Sequence, residues 1–210
     1  MKDDLEKTKR RTLRYWYVDG LSEIFLGLLC LLLGGYFWLQ LQLPSNSWLS
    51  QLLIVFLMLL VMGSGLLLRK AVGAIKNRLT YPRTGYVAYL QPRRKQNWLA
   101  GLLALGIGAL TVILIDRLPG TTIWMPGVTG IIFSIVVLVI GLRLGLVRFY
   151  LQGVFFLLLG CGLSLAGVGD INGLRFFYIG SGVVLLLSGL WVLLAYLRQT
   201  SASLEEPNAG

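Results

Sequence analysis

RYWYVDGLSEIFLGLLCLLLGG, residues 14–35, starts with the character of a water-facing segment and ends as unbroken hydrocarbon. Asp19 and Glu23 stand where the character changes. The apolar part that follows is long enough to cross a bilayer core about 30 Å thick, which takes roughly 20 residues of helix. Runs of the same kind recur along nearly the whole chain. Of its 210 residues 56% are hydrophobic and only 13% are charged, with a mean hydropathy of +0.76, so a soluble globule is excluded. The sequence is that of a polytopic, all-α membrane protein.

Breaks at Gly, Pro and charge place six spans near residues 20–41, 50–70, 97–116, 122–142, 148–168 and 175–197. Residues 1–19 then form an amino-terminal segment, 20–198 the transmembrane domain with a basic loop at 71–96, and 199–210 a disordered tail. No small-residue cleavage pattern follows the first run, which reads as a retained span. Lysine and arginine gather at cytoplasmic span ends. With the amino terminus inside, Lys2, Lys7, Lys9, Arg10, Arg11, Arg14, the basic residues between Arg69 and Lys95, and Arg143, Arg148 and Arg198 all fall inside. Only Arg117 and Arg175 fall outside, so both termini are expected in the cytoplasm. The same rule explains the net charge of +10 without nucleic acid, for which no binding module is present.

The odd-numbered spans share an opening. An aromatic residue is followed by Gly at +3 and Gly at +10 in Tyr17, Gly20, Gly27; in Trp98, Gly101, Gly108; and in Tyr150, Gly153, Gly160. The even-numbered spans carry Gly65-Leu66, Gly141-Leu142 and Gly189-Leu190 near their inner ends. The pattern suggests three tandem two-helix hairpins, and small residues such as Gly160 and Ser164 would let helices approach closely. On these glycine-marked openings, over residues 14–198, the chain resembles the bacterial acid-resistance membrane protein family. That resemblance implies a six-helix, three-hairpin fold, a bacterial inner-membrane location and a stress-related role.

Asp19 and Glu23 are four residues apart and share one helix face. A carboxylate one turn below the headgroups must be paired, protonated or hydrated. Arg14, Arg78, Arg143 and Arg148 are the candidate partners for Glu23; Arg143 and Arg148 are preferred because the hairpin between spans four and five is very short. Glu23 then reads either as an anchor locked to arginine or as a proton or cation site. Gln152, which aligns with Asp19 in the repeat, either lines the inner end of the bundle or bonds a neighbouring helix.

The second candidate is the loop AIKNRLTYPRTGYVAYLQPRRKQNW, residues 74–98. Its β-prone tyrosines, with Pro82 and Gly85, admit a short β-hairpin on the membrane surface. Arg78, Tyr81, Arg83, Tyr86, Tyr89, Arg93, Arg94 and Lys95 fit anionic lipid of the cytoplasmic leaflet or a protein partner.

Cys30 and Cys161 both lie in apolar runs and read as small buried hydrophobes. Histidine is absent, and no metal-ligand cluster, phosphate loop or nucleophile elbow is found, so no cofactor is expected. The leading expectation is a non-enzymatic inner-membrane accessory or scaffold, able to form homo-oligomers or to pair with another membrane protein. A small transporter or channel built on Glu23 is the second, and a lipid-modifying enzyme at the interface the third.

Overall fold

The computed structural model of the protein describes residues 19–44, 47–60, 63, 70 and 121–202, and every described element is helical. Helix α1 spans Leu21–Gln42. A shorter apolar helix, α2, covers Trp48–Leu60. A 3-10 turn at Thr121–Trp124 leads into α3, Met125–Leu144. Helix α4 spans Val147–Leu165 and α5 Asp170–Ala202. Four of these stretches, Leu21–Gln42, Thr122–Leu144, Val147–Leu165 and Asp170–Arg198, are long and apolar enough to cross a membrane. Their outward faces are leucine, isoleucine, valine and tryptophan, as lipid requires of an integral membrane protein.

The expected span at 50–70 overlaps α2, whose continuation lies largely outside the described residues. The span at 97–116 and the β-prone loop lie wholly outside them, as do Arg14, Arg78, Tyr81, Arg83, Tyr86, Tyr89, Arg93, Arg94 and Lys95. The last span, expected at 175–197, starts earlier and ends later. Asp170 and Asn172, which precede the expected span, belong to the first turn of α5. The reason is that the link from α4 is completed by Ala166–Gly169, where Gly167 takes a left-handed φ of 71°. Gly173 N–H already closes a helical bond to the Gly169 carbonyl. Between α3 and α4 only Gly145 and Leu146 intervene. Gly145 ends α3 in the left-handed conformation, φ 65°, with its N–H on the Gly141 carbonyl at 2.7 Å.

The helices associate as two antiparallel pairs, α1 with α5 and α3 with α4, and the pairs touch each other more thinly. Glycine sets both contacts. On α1, Gly20 faces Gly189, Gly27 faces Gly182 and Leu186, and Gly34 faces Ile179, so one residue in seven is small where the backbones cross. On α4, Gly160 faces Gly130 of α3, and Gly153 faces Leu138. A Cβ at Gly130 would lie 2.6 Å from the Phe156 carbonyl oxygen. In lipid no solvent drives helices together, and such close approach supplies the dispersion contacts that do. The motif glycines of α1 and α4 are thus docking surfaces, but α1 pairs with α5 and α4 with α3. Helices α4 and α5, expected as one hairpin, touch more thinly than the partners within either pair.

That seam is aromatic. Phe133 of α3 sets its ring edge-on to Phe156 of α4 and to Phe177 and Tyr178 of α5, at centroid distances of 5.9, 5.5 and 5.8 Å. Phe37 of α1 stacks on Tyr178 at 5.6 Å. Phe156 and Phe177 are fully buried. All four long helices meet there.

Candidate functional site

A second junction between the pairs is polar, and it forms at the end of the bundle where α1 and α4 begin. The chain enters α1 through Gly20, at φ 71°, because a side chain there would strike the Gly189 carbonyl oxygen of α5. Gly20 therefore holds the first turn of α1 hard against α5, and the residues around it are buried: Asp19, Leu21, Ser22 and Glu23. Asp19 Oδ1 accepts a long bond from the Leu21 N–H at 3.4 Å.

Glu23 is 2% exposed, and both of its carboxylate oxygens are occupied. Oε1 meets Arg148 Nε, from the first turn of α4, at 2.9 Å. Oε2 accepts from Gln152 Nε2, one turn along α4, at 3.0 Å, and from the Ser188 hydroxyl of α5 at 2.8 Å. Gln152 Nε2 also donates to Ser188 Oγ at 2.9 Å. One carboxylate thus ties together three helices drawn from both pairs. Charge-assisted bonds of this kind are the strong ones, and burial strengthens them.

Of the four site residues read from the interface, Glu23 and Arg148 are in direct contact. Asp19 lies within electrostatic reach of Arg148. Arg143 is elsewhere: it is exposed in the last turn of α3, where a cation favours the negative helix end. Gln152 bridges helices. Ser188 is the member that sequence reasoning missed, because a lone serine in an apolar run usually bonds its own helix. Its one signal was its place beside the Gly189-Leu190 step, which the structure puts against Gly20.

The depth of the cluster follows from the tryptophans. Trp191 of α5, 77% exposed, comes three residues after Ser188, or about 4.5 Å farther along the axis. Trp38, Trp48 and Trp124 are exposed at the opposite end, where the half-buried Arg175 also lies. From Arg175 to Trp191 the helix rises about 24 Å, close to a hydrocarbon thickness. Interfacial tryptophans mark the headgroup level. The Glu23 cluster therefore lies just beneath one membrane surface, well away from the midplane.

At the far end, the Gly127 N–H, an orphan donor of the α3 start, is capped by Ser164 Oγ of α4 at 2.9 Å. The site holds no obvious place for a metal: among the described residues no group of three His, Cys, Asp or Glu comes together. Cys30 is buried and Cys161 half-buried, both as free thiols. Comparison with known proteins finds no matching protein family, curated protein or solved structure.

Proposed function

We propose that this is a non-enzymatic accessory or scaffold protein of a bacterial inner membrane, in which Glu23 is a structural clamp. The observation that carries the reading is the contact of both Glu23 carboxylate oxygens with the chain's own residues, Arg148 on one and Gln152 and Ser188 on the other. A carboxylate that must bind and release an ion has to be available to it, and this one is held at both oxygens by its own chain, Oε1 in an ion pair and Oε2 in two hydrogen bonds. Its depth points the same way, because transport sites are typically built near the midplane. The basic residues of the sequence, Arg143 and those from Arg78 to Lys95 among them, suit binding to anionic lipid or a partner protein. The stress-related role follows from the resemblance to acid-resistance membrane proteins.

The test is ion flux. Purified protein in liposomes carrying a proton or sodium gradient is expected to dissipate neither gradient beyond empty liposomes. Flux that disappears in Glu23→Gln, in protein that still elutes as a single species, would replace the scaffold by the transporter reading. What favours that second reading is a carboxylate shared among three helices, which can be released by breaking one ion pair.

A further inference from the structure

Besides Glu23 Oε1, which is engaged by the Arg148 ion pair alone, buried oxygens without a hydrogen-bond partner among the described residues include Oε1 of Gln152, in the clamp, and Oγ of Ser22, one residue before Glu23. Gln152 and Ser22 are 4% and 8% exposed. The Gln152 amide cannot be turned over to cure its defect. Its nitrogen already donates to Glu23 Oε2 and Ser188 Oγ, and the flipped amide would set a carbonyl against a carboxylate. The carbonyl therefore points away from both and requires a donor of its own.

We propose that the clamp is a water-binding site: an internal water donates to Gln152 Oε1, and Ser22 Oγ is satisfied by water in the same way. The charges choose the occupant. A metal cation would stand close to the Arg148 guanidinium, and an anion close to the Glu23 carboxylate, whereas a neutral molecule that both donates and accepts meets neither penalty. Arg148 also marks the route. Its side chain is 20% exposed against 3% for Glu23, and it lies at the headgroup end, so the wet edge of the site opens to that surface. The inference is independent of the scaffold reading, since a hydrated clamp serves a scaffold and a transporter alike.

Ser181 supplies the control. Its hydroxyl is also buried and without a hydrogen-bond partner, but it lies two turns of α5 away from Ser188, with the buried Phe177 and Leu185 one turn to either side. The experiment pairs an experimental structure of the wild-type protein, at a resolution that shows ordered water, with melting of Ser22→Ala and Ser181→Ala. Density for a water within hydrogen-bonding distance of Gln152 Oε1 is expected. Ser22→Ala is expected to melt about 2–4 °C lower, because it loses bonds to water, and Ser181→Ala at the wild-type temperature or above it. A dry Gln152 Oε1 overturns the proposal, as does density there that follows the sodium or potassium salt used. Equal melting of the two alanine variants overturns it for Ser22.

Discussion

At the scale of single residues, the two oxygens of Glu23 do different work. Oε1 takes the charge of Arg148, and Oε2 takes the two neutral donors that fix its direction. Removing one member of a buried ion pair strands the other, at a cost of about 3–5 kcal/mol, whereas removing both leaves no bare charge. Arg148→Gln and Glu23→Gln should therefore each lower the melting temperature in detergent clearly, while the double variant should be much less unstable than the sum of the two. A strictly additive double variant would mean that the pair is not coupled. Ser188→Ala should cost less, about 1 kcal/mol, because Gln152 still donates to the same oxygen. Chemical denaturation of the same preparations ranks the three.

At the scale of elements, the glycines divide sharply. Gly130 and Gly160 face each other across α3 and α4 with no room for a side chain, while nothing lies within 4 Å of a Cβ at Gly162. Gly130→Leu should force the pair apart and abolish folding or shift elution. Gly162→Ala should be neutral or stabilise by up to about 1 kcal/mol, since alanine is the better helix former. The aromatic seam has no such tolerance: Phe156→Ala would open a fully buried cavity and cost about 3–5 kcal/mol. Expression yield and thermal unfolding distinguish these cases. The glycine spacing was legible in the sequence as a repeated mark, because small residues have few other reasons to recur at +3 and +10 after an aromatic. Which helix each mark docks against was not legible, because a glycine face fits any partner that is equally small.

At the scale of the whole molecule, α1 begins and α5 finishes at the clamp end, where α3 also hands over to α4. Arg143 and Arg198 are exposed at that end, and Ala166 is exposed at the other. In a background with Cys30 and Cys161 replaced, an impermeant thiol reagent should reach Arg143→Cys and Arg198→Cys from one face of sealed vesicles and Ala166→Cys only from the opposite face. Labelling of all three from one side would break the bundle as described.

Composition and run length by themselves determined that the chain is a set of membrane-crossing helices, because hydrocarbon accepts few other backbone structures, and they placed Glu23 at an interface where an arginine had to be near. The choice of Arg148 over Arg143 was a matter of tertiary structure. Both flank the same short turn, but Arg143 ends α3 facing outward, and Arg148 begins α4 on the face that meets α1. The pairing of α1 with α5, nearly the full chain apart, is likewise decided in three dimensions: contact between glycine faces is a property of two surfaces, and a sequence displays them only one at a time.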